Sequence, residues 1–313
     1  MISLNNQELF KKYYQIEYDF NTTALTEEEI DEIKELVKEK RVNYALAPVG
    51  TKIFDWISEQ ASNIRFELAD FDSDKIDGLL YIPQSGLEKA YIVLNSKKPL
   101  INQIFAAVHE YYHYVTDYAK IKRQPYICSL SALQNVNEKK ACRFAAEFLL
   151  PEDALRNEVK FFKKRMPAFM GRKMEFDDYA ILSIFLTVKY QLPLKAVLYR
   201  LYEEKYINNV DEYIKNYDFI KSVLLGINIF EDDVKHLYST GNAYLKIEGL
   251  IYRQMKMVYD MGYATREEIL SDAEVLDLDI QLILEFFDVI EEDEDEDDTE
   301  LMSRIKQIWR PEE

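Results

Sequence analysis

The amino-acid sequence predicts an α+β protein that is mainly helical, with a small three-stranded antiparallel sheet packed on a central helix and a helical C-terminal half. Its 313 residues include only 8 glycines and 8 prolines, so long helices can run without interruption. Apolar residues recur at helical spacing through most of the chain. Three short apolar runs with turn-forming residues at their ends break this pattern and predict the strands.

The predicted elements follow one another without an internal repeat. Thr26 and Glu29 form a capping box that starts a helix reaching about Arg41, and a short helix runs from Ile53 to near Asn63. The predicted strands comprise 64–68, 78–82 and 90–94. The helices predicted after them comprise 99–115, 137–150, 152–165, 177–190, 193–206, 243–261 and 266–270.

Charge and cysteine content limit the classes of function. The formal net charge of -18 disfavours broad binding to nucleic-acid phosphates. Eight consecutive acids at 291–298 indicate a solvated tail or linker, with binding of a metal or a basic partner as the alternative. The chain has no signal-peptide pattern, no apolar window of roughly 18 residues and only 2 cysteines, so we expect a soluble protein in the reducing cytoplasm.

The first predicted helix after the strands contains the most specific motif, because residues 109–113 read HEYYH. On a helix, His109 and His113 share one face and can bind one cation, for which zinc is the natural candidate. Glu110 lies on an adjacent side and is the predicted general base, accepting a proton from the attacking water. The alternative is two ordinary histidines with an incidental glutamate, which a chain with 3 histidines makes improbable.

A catalytic zinc site usually needs a third protein ligand. Glu138 and Glu147 are the candidates on the next predicted helix, and at 100° per residue they point to opposite sides, so both cannot face the metal. Ala141 and Ala145 lie on an apolar stripe that suits close packing on another helix. We choose Glu138, while a solvated acid favoured by the helix dipole remains the alternative.

Two further residues are candidates for supporting roles. Asp117 lies four positions after His113 and could accept a hydrogen bond that orients the imidazole, or could belong to a plain polar face. His236, the remaining histidine, could stabilise the oxyanion of a tetrahedral intermediate, or could be an ordinary residue on a helix surface.

These motifs resemble the core of the ImmA/IrrE family of metallopeptidases: a strand ending in Asn, an H-E-x-x-H helix and the pattern E-x-x-A-x-x-F-A-x-x-L-L-x-P. The chain shows Val93-Leu94-Asn95, then 109–113, then 138–151 in that order, and the resemblance covers roughly 30–165. It implies that His109, His113 and Glu138 are zinc ligands and that Glu110 is the base. The helix from His113 onward is also similar to the zinc-binding helix of thermolysin.

The chain departs from the family pattern at two places. Tyr111 and Tyr112 stand where the family often has Leu-Gly, and Cys142 stands where it often has Asn or Asp. The resemblance implies a zincin-like metallopeptidase domain at 1–165. We expect a helical domain at 166–290 and an acidic tail at 291–313.

The resemblance also suggests partners. Family members are associated with cleaving helix-turn-helix repressors, which implies a zinc-dependent endopeptidase acting on a regulatory protein. The alternative is a zinc-stabilised module that binds a repressor or antitoxin without cleaving it, suggested by the bulky Tyr111 and Tyr112.

A third hypothesis makes the helical C-terminal half a sensor or oligomerisation unit. Residues 181–207 resemble the helix-turn-helix-like segment that often follows the peptidase region, but they contain few basic residues, so direct nucleic-acid binding is disfavoured.

Overall fold

The chain divides into two compact units, 1–244 and 245–313. The computed structural model describes residues 20–71, 76–83, 89–123, 136–165, 172–226, 231–240, 255–256, 258–259, 261–275, 280 and 283–284. The acidic run and most of the predicted helix at 243–261 lie outside these residues. The predicted functional boundaries at 165 and 290 remain a prediction.

The mainly helical α+β fold is confirmed. The described helices of the first unit are α1 (Glu27–Lys40), α2 (Ile53–Gln60), α3 (Leu100–Arg123), α4 (Val136–Leu149), α5 (Glu152–Arg165), α6 (Phe176–Tyr190), α7 (Leu194–Glu203), α8 (Val210–Lys215), α9 (Tyr217–Gly226) and α10 (Glu231–Leu237). A 3-10 turn at Gly50–Lys52 precedes α2, and the second unit contains α11 (Arg266–Val275).

The first helix begins at the predicted capping box. The Thr26 side chain accepts a hydrogen bond from the backbone of Glu29, and the Glu29 carboxylate accepts one from the backbone of Thr26 at 2.9 Å. The helix ends before Arg41, which is buried and donates hydrogen bonds to the carbonyl oxygens of Ala47 at 2.7 Å and of Phe148. The end of α1 is therefore fixed to the end of α4.

The sheet has three strands as predicted, but the prediction that it is antiparallel is wrong. The strands β1 (Ile64–Ala69), β2 (Gly78–Tyr81) and β3 (Ala90–Asn95) lie in the order β1-β3-β2. The β3 strand pairs antiparallel with β2 and parallel with β1, so the sheet is mixed. The central position of β3 agrees with its burial at five of its six positions, as expected for a strand with neighbours on both sides.

Helix α3 is the centre of the first unit. Its residues 100–113 are buried at every position except Asn102, which is typical of a helix enclosed on all sides rather than one lying on a surface. It packs against β2, β3 and α4. Trp56 of α2 closes the core on one side, with ring centroids 5.2 Å from Tyr111 and 5.0 Å from Phe148.

A buried cluster of charges joins α4 to the end of α7. Arg143 lies 3.0 Å from the Glu147 carboxylate and also pairs with Glu203. The fully buried Arg200 lies 2.9 Å from Glu147 and 3.0 Å from Glu204. Since buried charges are tolerated only when they are paired, this cluster fixes the position of α4 relative to α7.

Helices α6 and α7 bend by 116° at the turn between them. Gln191 caps α6 in the left-handed conformation, with φ at 51°, and its side-chain oxygen accepts a hydrogen bond from the Thr51 backbone at 2.8 Å. No single helix in the described part of the chain has the length and apolar character to cross a membrane; α6 and α7 meet that criterion only as a bent pair.

Replacing Arg200 with leucine should lower the free energy of unfolding by about 3–5 kcal/mol, because it leaves buried carboxylates without a counter-charge. The matched control is Arg156→Leu. Arg156 pairs with Glu152 and Asp153 but its side chain is 44% exposed, so its loss should cost much less stability than the loss of Arg200. Urea unfolding followed by circular dichroism measures both values. Equal losses in the two variants would contradict a stabilising role for the buried cluster.

Candidate metal centre

The two histidines of the HEYYH motif lie side by side on α3. His109 and His113 are 1% and 6% exposed, and their ring centroids are 5.1 Å apart. The Nε2 atom of His109 lies 3.1 Å from one carboxylate oxygen of Glu138, and Nε2 of His113 lies 3.4 Å from the other. One ligand atom from each residue can be chosen so that all three lie within 4.8 Å of one another. The structure therefore brings the three predicted ligands together.

Glu138 reaches the histidines because α4 packs closely on α3. Ala141 and Ala145 are completely buried in α4, and their small side chains allow the two helices to approach. Burial alone would raise the pKa of the Glu138 carboxyl, but the hydrogen bond with His109 and the nearby imidazole of His113 hold this pKa well below its usual range. Glu138 thus stays ionised, as a metal ligand must be.

The other ring nitrogen of each histidine also has a neighbour. Nδ1 of His113 lies 3.1 Å from an Asp117 carboxylate oxygen, and Nδ1 of His109 lies 3.6 Å from the sulfur of Cys142. A carboxylate accepting from Nδ1–H leaves the lone pair on Nε2, which fixes the tautomer suited to a metal. The structure places Asp117 where the sequence predicted a partner of His113. Cys142 lies beside Nδ1 of His109, as Asp117 lies beside Nδ1 of His113.

The donor set fits zinc. Two imidazoles and one carboxylate form a common set of protein ligands at catalytic zinc sites, and they leave a coordination position open. The buried Nε2 atom of His113 makes no hydrogen bond within the described structure, although an oxygen of Glu138 is 3.4 Å away. A buried nitrogen that has no hydrogen bond and lies near a carboxylate is expected at a site that binds a cation.

Glu110 lies beside the ligands and is 7% exposed. Burial raises the pKa of its carboxyl, while the charges of His109 and His113 oppose this shift. The Leu80 backbone N–H donates a hydrogen bond to the carboxylate. Glu110 is therefore held in place from β2 and surrounded by a low-dielectric environment.

The contact with Leu80 follows from the register of the sheet. Leu80 lies opposite Ile92 in the antiparallel pair, while the Asn95 backbone N–H bonds to the Asp77 carbonyl oxygen at 2.9 Å. Hydrogen-bonded and non-hydrogen-bonded pairs alternate, so the backbone groups of Gly78 and Leu80 point away from β3. The Leu80 N–H therefore lies on the outer edge of β2 and is not used within the sheet.

The bulky pair inside the motif does not fill the metal centre. Tyr111 is 3% exposed and packs edge-on against Trp56, and Tyr112 is 7% exposed with its ring 5.3 Å from that of Phe144. Both rings therefore contribute to the core between α2, α3 and α4. The structure accommodates this departure from the family pattern by packing.

The competing ligand Glu147 has a different role. Its carboxylate contacts Arg143 and Arg200, and it accepts a hydrogen bond from the backbone of Glu152 at 2.8 Å. These contacts place it in the buried charge cluster at the other end of α4. Of the two acids, only Glu138 faces the imidazoles.

His236 lies on α10, where its side chain is exposed. Its carbonyl oxygen accepts hydrogen bonds from Ser239, whose own carbonyl oxygen accepts one from the first residue of α3 at 3.0 Å. His109 is nine residues further along α3, about 14 Å along the helix axis. His236 does not belong to the cluster of three ligands, and its proposed oxyanion role remains a prediction.

Two contacts at the site were not predicted from the sequence. The sequence shows that Cys142 departs from the family pattern. Its proximity to His109 depends on the packing of α3 against α4. The Leu80 hydrogen bond to Glu110 involves a backbone group, which no residue type signals. A prediction of this contact would require the strand order of the sheet, which places β2 at the edge.

Comparison with protein families gives one match. Residues 59–202 match the Peptidase_M78 family model, described as the IrrE N-terminal-like domain. The match contains the HEYYH motif and Glu138, and it extends through α6 and most of α7. No curated protein matches this chain.

The two acids of α4 should respond differently to loss of charge. Glu138→Gln should reduce zinc affinity at least tenfold, since even changes behind the ligands cost about 10- to 100-fold. Glu147→Gln should keep its zinc and instead lower the stability of the fold. Elemental analysis after dialysis against a zinc buffer, together with urea unfolding, measures both quantities. Zinc lost from the Glu147 variant and retained by the Glu138 variant would reverse the assignment.

The metal-free protein should lose stability as pH rises through the titration of His113. Burial lowers the pKa of His113, but the carboxylates of Asp117 and Glu138 outweigh burial and raise it from 6.5 to about 10. A raised pKa in the folded state contributes stability that is complete below pH 6.5 and lost as pH approaches about 10.

Unfolding of chelator-treated wild-type protein and of His113→Gln, measured between about pH 6 and pH 10, isolates this contribution. The stability difference between the two proteins should shrink as pH rises. A difference that is constant over this range would show that the imidazolium does not contribute.

Proposed function

Residues 59–202 of this chain belong to the IrrE N-terminal-like family of peptidases, and on this basis we propose that the protein is a zinc-dependent endopeptidase that cleaves a regulatory protein such as a helix-turn-helix repressor. One observation carries the proposal: the ligand atoms of His109, His113 and Glu138 converge within 4.8 Å, with the buried Glu110 beside them. Two imidazoles, a carboxylate and a neighbouring base are the components of hydrolysis at a metal.

The metal would be held by His109, His113 and Glu138. Zinc bound there would act as a Lewis acid on the scissile carbonyl and make the attacking water more acidic. Asp117 keeps the His113 ring in the orientation and tautomer that direct Nε2 at the site. The ionised state of Glu138, maintained by both imidazoles, supplies a negative charge opposite the cation.

Glu110 would move the proton. Its raised pKa makes the carboxylate a stronger base than an exposed glutamate, so it can accept a proton from water and then donate it to the leaving amine. The Leu80 N–H holds the carboxylate during both steps. Burial excludes competing water from this transfer.

The edge of β2 would align the substrate chain. The N–H and carbonyl groups of Gly78 and the carbonyl group of Leu80 point away from β3, as the register requires, while the Leu80 N–H bonds to Glu110. An extended peptide can add to such an edge by backbone hydrogen bonds that do not depend on its sequence. This arrangement suits an endopeptidase, whose substrate continues in both directions from the scissile bond.

Charge supports a DNA-binding protein as the substrate. The net charge of -18 attracts basic proteins and accelerates their encounter with this chain. Repressor domains that bind DNA are basic because they neutralise phosphates. An acidic peptidase and a basic substrate therefore have complementary surfaces.

Direct binding of nucleic acid by the chain itself is not supported. The helix-turn-helix-like segment 181–207 contains four cations, of which Lys189 pairs with Glu158 at 2.9 Å and Arg200 is enclosed by carboxylates. Cations that are already paired with carboxylates of the fold are not available to neutralise phosphates. Lys195 and Lys205 remain, which is few for a surface that binds a phosphate backbone. A cytoplasmic location and a sensor or oligomerisation role for the C-terminal half remain predictions from the sequence.

The alternative of a binding module without catalysis rested on the bulky Tyr111 and Tyr112. Both rings lie in the core, where they leave the ligand face of α3 unchanged. No observation among the described residues favours this alternative over hydrolysis.

Glu110→Gln should separate binding from cleavage. The variant should retain zinc and partner binding, and its cleavage rate should fall by about 10²–10⁴-fold because the general base is lost. Candidate substrates are identified by new N-termini that appear in cells with wild-type protein but not with the variant. The rate is then measured on the purified substrate.

Glu59→Gln is the matched control, since Glu59 is exposed on α2. It should cleave at the wild-type rate. If the Glu110 variant binds a full equivalent of zinc and cleaves as fast as wild type, the proposed hydrolase is wrong.

A further inference from the structure

A cavity of about 490 Å³ lies in the first unit where α3, α7 and α9 begin. Lys98, Lys195 and Lys221 line it, one from the neighbourhood of each helix start. Phe20 and Tyr238 contribute aromatic rings to the wall, and Asp77, Asn102 and Asp218 also line it. A volume of this size accommodates a small molecule with both a charged group and an apolar part.

The cavity is separate from the metal centre. Ile101 lines the cavity, and His109 follows it by eight residues on the same helix, about 12 Å along the axis. None of the three ligand residues and neither Glu110 nor Leu80 contributes to the wall. A molecule in the cavity would therefore not compete for the metal.

Two of the lysines carry uncompensated charge. Lys98 pairs with Asp77 at 2.9 Å, and Asp77 also accepts a hydrogen bond from Asn102 at 3.0 Å. Neither Lys195 nor Lys221 has an ion-pair partner among the residues that the structure describes. Asp218 on the wall is exposed to solvent, where its charge is screened. Three lysines against Asp77 and Asp218 give the lining side chains a net positive charge within an acidic protein.

Aromatic rings position the two lysine ammonium groups. Nζ of Lys195 lies 6.0 Å from the ring centre of Phe20, and Nζ of Lys221 lies 6.0 Å from that of Tyr238. Burial raises the pKa of the Tyr238 phenol, so its hydroxyl stays protonated and able to donate. Each side of the cavity therefore combines a cation with an aromatic surface.

The start of α7 adds hydrogen-bond donors to these charges. Its N-cap is Pro193, which provides no side-chain cap for the first backbone N–H groups. Pro193, Leu194 and Lys195 all line the cavity. A helix N-terminus favours an anion through these donors and through the helix dipole.

We propose that this cavity binds a small phosphate-bearing molecule whose phosphate lies between Lys195, Lys221 and the start of α7, and whose apolar part contacts Phe20 and Tyr238. A phosphate offers several strong acceptor oxygens to lysines and helix N–H groups at once, whereas a carboxylate offers only two. The cavity volume also exceeds what a simple carboxylate requires.

Calorimetric titration of the full-length zinc-loaded protein with inorganic phosphate and with pyrophosphate tests the proposal. We expect saturable binding of one molecule per chain, tighter for pyrophosphate, and at least tenfold weaker in the double variant Lys195→Gln/Lys221→Gln. The control Lys52→Gln/Lys173→Gln removes the same charge at exposed positions outside the cavity and should bind as wild type does. Thermal unfolding without ligand confirms that each variant is folded.

Phosphate could also bind at the metal, so the titration is repeated with His109→Ala/His113→Ala. Binding retained in that variant supports the cavity, whether or not the protein proves to be a peptidase. Absence of saturable binding, equal weakening in both lysine pairs, or loss of binding only in the histidine variant would each overturn the proposal.

Discussion

The metal centre depends on the close contact between α3 and α4. Two imidazoles on one helix can bind a cation, but the third ligand must come from a neighbour. Ala141 and Ala145 are completely buried and leave room for α4 to approach until Glu138 faces both Nε2 atoms. Since catalytic groups must be held within about 0.5 Å, a larger side chain at either alanine would displace this ligand.

Helix α4 uses its two acids for opposite tasks. Glu138 near the start contacts the imidazoles, and Glu147 near the end contacts two arginines. Each acid is stabilised by positive charge that the other cannot reach. The ionised state that the metal requires is therefore maintained at one end, while the other end fixes the direction in which the helix points.

The parts of the fold that the sequence predicted are those encoded by local spacing. The HEYYH motif needs only the helical period to place His109 and His113 together, and the capping box at Thr26 involves residues three apart. Spacing also showed that Glu138 and Glu147 could not both face the metal. Spacing could not show which of the two acids faces the metal. That choice depends on Arg200, which binds Glu147 and lies more than fifty residues further along the chain.

The parts that the sequence missed depend on tertiary contacts. A short apolar run contains no information on strand direction, so the parallel pairing of β1 with β3 was not predicted. The contacts of Glu110 with the Leu80 backbone and of Cys142 with His109 arise only when separate elements pack. Tyr111 and Tyr112 suggested a binding module without cleavage because their burial against other helices was not visible in the motif itself.

The charge cluster between α4 and α7 bears on how such a protein can evolve. Arg200, Glu203 and Glu204 lie beyond the domain boundary predicted at residue 165, yet they neutralise Arg143 and Glu147 on the other side of it. A gene fusion or deletion that divided the chain at residue 165 would leave buried charges without ion-pair partners in both fragments. The helices of the candidate metal centre and the helix pair α6 and α7 are therefore expected to be inherited as one piece, and a minimal folded fragment should not end before the last turn of α7.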